Sequence, residues 1–205
     1  MDCFWHGTPH ETQALNILKC GICPRKEAGR HWFAPVPGRV YLSQDPAYAA
    51  IYTIGGDIAA IDELPPKWLE KHGRYGYLFC VDRESITNRD VQPDEDFVGN
   101  MLYDLKHHAE RTQDFQWLYD LARNNIAPNR LRKAEDGEAI YHASVGKQLL
   151  SLMRPWQKQA LISAGASVAV KGMVYPSAVW KFDKTLTPRL ARDYSNFFEL
   201  AEQVL

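Results

Sequence analysis

The chain contains no run approaching the roughly 18 apolar residues of a membrane-spanning helix. Its opening, MDCFWHGTPHET, lacks both the basic start and the apolar stretch of a secretory signal. Neither sign of charge is in excess: 24 Lys and Arg stand against 25 Asp and Glu, a net charge of -1. That balance argues against retention on nucleic acid by bulk charge and leaves only the option of a local basic groove. There is no internal repeat and no low-complexity tract. Neither G-x-G-x-x-G nor G-x-x-x-x-G-K-[ST] occurs, which removes the familiar glycine-rich phosphate loops. The nucleophile elbow G-x-S-x-G is absent as well. These absences together predict a soluble, cytoplasmic protein with no membrane partner.

Cysteine is scarce, with Cys3, Cys20, Cys23 and Cys80 only. In a reducing compartment the simplest expectation is four free, buried thiols. Cys20-Gly21-Ile22-Cys23 has the spacing of half a zinc site or of a redox pair. No second C-x-x-C or H-x-x-x-H follows it, so no metal is expected.

What is present is enough to fold. A chain of 205 residues that is 45% hydrophobic and 24% charged can bury a core, and its length suits one domain with an insertion. Aromatic residues reach 12%, so rings are available to fill a core or to stack on a flat ligand. Phe4-Trp5 reads as a strand end closed by His6-Gly7-Thr8. A helix follows over Thr12 to Lys19, stopped by Gly21. Pro24 to Gly38 is a basic loop carrying His31, Trp32 and Phe33. Val40 to Ser43 is a strand. Asp45-Pro46 opens a short helix from Ala47 to Thr53, with Asp45 as N-cap. Ile54 to Gly73 is a connector, and Tyr75 to Asp82 is the clearest strand of the chain.

Val98, Met101, Leu102 and Leu105 repeat at helical spacing, so a helix starts near Phe97. A second runs over Gln113 to Arg123, and Asn124 to Gly137 reads as a polar turn region. From Val145 onward, Leu149, Leu152, Trp156 and Ala160 mark one long helix ending at Gly165. Strands are expected at Ser167 to Val170 and at Ala178 to Phe182, with a terminal helix over Phe197 to Leu205. Strands at both ends and helices between them indicate an α+β domain spanning residues 1–205, with a helical insertion over about 97–164.

Three small constellations carry chemistry. In the first, His6-Gly7-Thr8, a ring nitrogen stands beside an unshielded backbone amide, although most such histidines are merely hydrogen-bonded. In the second, Tyr41 and Ser43 on a strand precede Tyr52 at the end of the next helix. Two tyrosines so placed can sandwich a flat ring or simply pack in a core. In the third, Asp94-Glu95-Asp96 precedes a helix, where acids commonly serve as caps and favour the dipole.

Taken in order, these segments resemble the ADP-ribosyltransferase superfamily, in its branch with a His–Tyr–acid motif. Trp5-His6-Gly7-Thr8 with Gly21-Ile22 is similar to its first motif, and Val40-Tyr41-Leu42-Ser43 with Ala49-Ala50-Ile51-Tyr52 to its second. The tyrosine spacing is that of poly-ADP-ribose polymerases, and the acidic segment is reminiscent of rifampin ADP-ribosyltransferases. The resemblance covers about residues 3–96, with a weaker echo at 165–183. It implies a split β-sheet core and NAD as co-substrate, cleaved at the nicotinamide–ribose bond.

On that resemblance Gly7 presents its backbone to the carboxamide, Tyr52 and Tyr41 stack on the nicotinamide, and His6 bonds a ribose hydroxyl. Thr8 and Ser43 meet nearby polar atoms. Arg39, with Arg25, Lys26 and Arg30, either holds the diphosphate or lies on a solvated loop, and both readings stay open. The catalytic carboxylate of many relatives lies on a later strand, near Lys171-Gly172-Met173, where this chain has no acid. Glu95 is therefore the first candidate, with Asp94 and Asp96 beside it, to steady the ribose cation. The acceptor of ADP-ribose stays open among protein, nucleic acid and small molecule. Two other readings compete. RNA 2′-phosphotransferases share the His-Gly-Thr opening, and Val174-Tyr175-Pro176-Ser177 echoes a later motif of theirs. A non-catalytic binding module on the same scaffold is the other.

Overall fold

The structure, a computed structural model, describes residues 3–24, 36–53, 67, 69–70, 73–108, 113–186 and 197–205. The loop residues Arg25, Lys26, Arg30, His31, Trp32 and Phe33 lie outside the described residues, as does most of the 54–73 connector. Helix and sheet are mixed, and the strands form two sheets. The chain divides into two compact units. The first comprises Met1–Pro24, Val40–Val91 and Val170–Leu205, and the second Arg25–Arg39 and Gln92–Ala169.

The first sheet has the order β1-β3-β6-β7, from Cys3–Thr8, Tyr75–Asp82, Ala178–Asp183 and Ala201–Gln203. Its pairs are antiparallel, with Trp5 opposite Cys80 and Phe79 opposite Val179. The central strand β3 is buried from Gly76 to Val81, as its continuous apolar run predicts. The second sheet has the order β2-β5-β4, from Arg39–Leu42, Val168–Lys171 and Val91–Pro93.

Helix α1 spans Glu11–Cys20 and ends on Gly21 at φ 81°, a left-handed position that favours glycine. Helix α2 spans Pro46–Thr53, and the Asp45 carboxylate accepts from Ala47 N at 2.8 Å, the expected cap. This helix packs on β1 and β3 through two glycines. A Cβ on Gly7 would stand 2.1 Å from Ala49 O, and one on Gly76 2.8 Å from Thr53 O. Around them Cys3, Trp5, Ala49, Ala50, Leu78, Cys80, Trp180 and Phe182 form a core, with the rings of Trp5 and Trp180 5.2 Å apart.

Lys184, just beyond β6, is fully buried. Its ammonium donates to Pro9 O and to Gly73 O, the latter at 2.8 Å, and burial pushes it down to about 8. Removing the donor leaves two half-buried carbonyls without it, at about 1–2 kcal/mol each. Lys184→Met is therefore expected to lower unfolding stability by about 2–4 kcal/mol. Urea denaturation followed by circular dichroism checks this, and an unchanged midpoint would show that the two bonds add no stability.

The second unit is helical after β4. A short helix, α3, spans Arg83–Ile86 and belongs to the first unit. Helices α4 (Glu95–His107), α5 (Gln116–Asn125), α6 (Pro128–Glu135), α7 (Ala139–Leu152) and α8 (Pro155–Ser163) follow in the second. Their core includes Val98, Leu102, Leu118, Val145, Leu149 and Leu161, all fully buried. Helices α4 and α7 cross closely at two more glycines. A Cβ on Gly99 would lie 2.4 Å from His142 O, and one on Gly146 1.9 Å from Glu95 O.

Several expectations are corrected. Strand β1 does not close at His6-Gly7-Thr8 but runs through it, because each of these residues pairs with β3. The polar stretch after Asn124 contains α6, nucleated by Pro128 in its first turn and anchored by buried Leu131 and Ala134. The single long helix is two, because Pro155 cannot continue α7 and instead starts α8. The terminal helix shrinks to α9, Phe197–Leu200, and Ala201–Gln203 pairs with β6 instead. Cys3 and Cys80 are buried, but Cys20 and Cys23 are exposed. Among the described residues no helix is long and apolar enough to cross a membrane.

Candidate functional site

The sequence-predicted residues of the first unit converge on the outer edge of β1. Trp5 and Ser43 form an isolated antiparallel bridge in which Trp5 N donates to Ser43 O at 2.7 Å and Ser43 N to Trp5 O at 2.8 Å. The backbone groups of Trp5 thus face outward, away from β3. Strand geometry repeats every two residues, so the N–H and C=O of Gly7 face the same outer edge. Continuing the ladder would pair Gly7 with Tyr41, yet among the described residues the bridge stays isolated. The Tyr41 carbonyl accepts instead from the imidazole of His6, whose Nδ1 lies 3.1 Å away. A side chain has taken the place of the next rung, and among the described residues no strand pairs with the outer edge of Gly7.

This bond also sets the tautomer of His6. A carbonyl can only accept, so Nδ1 carries the hydrogen, and Nε2 is the accepting nitrogen of the neutral ring. The helix α2 covers one face of Gly7 through Ala49 and Thr53. Tyr52 stands between these two in sequence, half-buried, and its hydroxyl donates to that of Tyr48 at 3.1 Å. Their rings meet edge to face, with centroids 5.6 Å apart. Tyr41, also half-buried, lies on β2. Ser43 is buried and its hydroxyl accepts from Asp45 N at 3.0 Å. Thr8, likewise buried, donates to Gln13 Oε1 at 3.0 Å. These two hydroxyls are held in turns of their own, and both support the fold of the edge.

The other candidates belong to the second unit. Arg39 donates to Ala169 O at 3.1 Å. Asp94 caps α4: its carboxylate accepts from Asp96 N at 3.0 Å, and its own N–H donates to Ser167 O at 2.7 Å. Burial, reinforced by the charges of Asp96 and Glu95, pushes Asp94 up to about 8. Burial and Glu95 raise Asp96 to about 6. Glu95 is 2% exposed, and its Oε1 accepts from Val36 N at 3.2 Å. Asp94 and Glu95 are thus buried at a helix start with Asp96 half-buried beside them, and the capping role is carried by Asp94.

Sequence reasoning missed Tyr48, the partner of Tyr52. Its signal was the i, i+4 spacing on one helix face. It also missed Ala49 and Thr53, whose backbone makes Gly7 obligatory. No family model, curated protein or solved structure matches the chain.

Proposed function

We propose that the protein is a mono-ADP-ribosyltransferase that cleaves NAD at the nicotinamide–ribose bond. The observation that carries this reading is the open edge at Gly7. A strand edge that offers one N–H and one C=O side by side suits a primary carboxamide, which supplies the matching acceptor and donor. Nicotinamide carries that group on a flat ring, and the half-buried ring of Tyr52, on the helix above Gly7, suits stacking. His6, with Nε2 as acceptor, suits a ribose hydroxyl. In the reaction the C1′–N bond breaks and its electron pair stays on the pyridine nitrogen, so nicotinamide leaves neutral. The positive charge passes to the ribose, and the acceptor nucleophile then attacks C1′. A carboxylate steadies that charge, and the Glu95→Ala variant below tests which acid supplies it.

The test is release of nicotinamide from labelled NAD. His6→Ala and Tyr52→Ala are each expected to lower kcat/KM by about 10²-fold, in line with the loss of one positioning contact. Nicotinamide is expected to protect the protein thermally where nicotinate does not, because a carboxylate cannot donate to the Gly7 carbonyl. Equal binding of the two compounds, or unchanged turnover in both variants, removes the assignment. Glu95→Ala with unchanged turnover would move the acid elsewhere.

A further inference from the structure

On the surface of the second unit, Asn100, Tyr103, Asp104, Gly137 and His142 line an open recess of about 520 Å³. None of these residues takes part in the reading above. Asn100, Tyr103 and Asp104 stand at i, i+3 and i+4, so one face of α4 delivers an amide, a phenol ring and a carboxylate to the same place. Gly137, at φ 86° between α6 and α7, contributes a wall without a side chain, and a Cβ there would sit 3.6 Å from the Tyr103 ring. Among the described residues the Asp104 carboxylate makes no ion pair or hydrogen bond, nor does the Asn100 amide.

The nearby cation is already engaged: Lys106 Nζ lies 2.7 Å from Asp136 Oδ1 and 3.7 Å from Glu135 Oε2. Lys133 is likewise drawn to Glu138, at 3.8 Å. His142 is buried, and its Nε2, 2.8 Å from Ala134 O, must donate to that carbonyl, so Nδ1 is an acceptor. Tyr103 is 39% exposed, with one neighbour being the His107 ring at 4.4 Å.

The recess is therefore rich in acceptors, carries the Asp104 carboxylate, which no cation among the described residues pairs, and has an accessible aromatic ring. We propose that it binds an alkyl-guanidinium group. A guanidinium is planar, so it stacks on Tyr103, and it carries five N–H donors in a fork that fits Asp104 together with other acceptors. An ammonium offers a point charge and no plane, and an anion would be repelled by Asp104.

The experiment is isothermal titration of the whole chain with methylguanidine and with N-acetyl-arginine methylamide. N-acetyl-citrulline methylamide, which differs only by a neutral urea, is the control. Saturable one-to-one binding of a guanidinium probe is expected, with at least about ten-fold weakening in Asp104→Asn and in Tyr103→Ala and none detectable for citrulline. The tighter of the two probes identifies a free or a peptide-borne group. Thermal melts confirm that both variants are folded, and Gln116→Ala, which is not among the lining residues, serves as the variant of unchanged affinity. Absence of saturable binding to the unaltered chain, or equal affinity in Asp104→Asn, overturns the proposal. Its fate is separate from that of the NAD reading, because titration with nicotinamide reads the other unit.

Discussion

Gly146→Ala is expected to lower unfolding stability by at least about 3 kcal/mol, a fall in Tm of roughly 6–12 °C for a chain of this size. The direction is opposite to the one helix propensity gives. Alanine in a helix interior is worth up to about 1 kcal/mol over glycine. Against this, the new methyl would lie 1.9 Å from Glu95 O and 2.8 Å from Glu95 C. These are backbone atoms and cannot rotate aside, so α4 and α7 must separate, and the packing of Val98, Val145 and Leu149 loosens with them. Gly99→Ala is expected to act the same way, its methyl meeting His142 O at 2.4 Å. Since one displacement of the helices relieves both clashes, the double variant should cost less than the sum of the two. Chemical denaturation of the three variants measures this. A Gly146→Ala protein at least as stable as the parent would sink the close crossing.

Asp94→Asn is expected to stabilise the protein at pH 8 by a few kcal/mol and to flatten its pH dependence. Asparagine caps a helix as well as aspartate does, so the bond to Asp96 N survives. What changes is the charge. The folded carboxyl titrates at about 8 against an ordinary 3.8, because burial and the neighbouring acids disfavour its ionised form. An acid raised on folding binds more protons folded than unfolded over that interval. Stability therefore falls as pH rises from about 4 to about 8, by at most about 1.4 kcal/mol per pH unit, and is level above. Asp96, raised to about 6, adds a slope of the same sign that ends lower. The variant should keep only that residual slope, and Asp94→Asn/Asp96→Asn should lose it. Urea midpoints at pH 5, 6.5 and 8 decide the matter; a parent-like slope in Asp94→Asn would refute the burial argument.

Much of the fold was legible because local signals agreed with packing. Tyr75 to Val81 holds no charged residue, and it forms the central strand, buried from Gly76 to Val81. Asp45-Pro46 supplied a cap and a first turn together, and α2 starts there. Helix α4 was read from Val98, Met101, Leu102 and Leu105, all of which are buried. The failures share a cause: the local pattern was outvoted. Leu149 to Ala160 keeps helical spacing across Pro155, so periodicity alone joined two helices that the missing proline N–H separates. Ala201 to Gln203 reads as helix and becomes a strand only because β6 offers an edge. At the candidate site, residue types were legible and their connections were not. That His6 would bond a carbonyl on the next strand, 35 residues along the chain, depends on register, which no neighbour of His6 in sequence encodes.

That bond has a consequence for the opening beside Gly7. The imidazole behaves as a wedge: while it occupies the Tyr41 oxygen, β1 and β2 cannot zip together past Trp5 and Ser43. With the imidazole gone, closing one rung further would set the amide of Gly7 against the backbone of Tyr41. The histidine thereby keeps the doorway ajar, a duty separable from any contact it makes with what passes through.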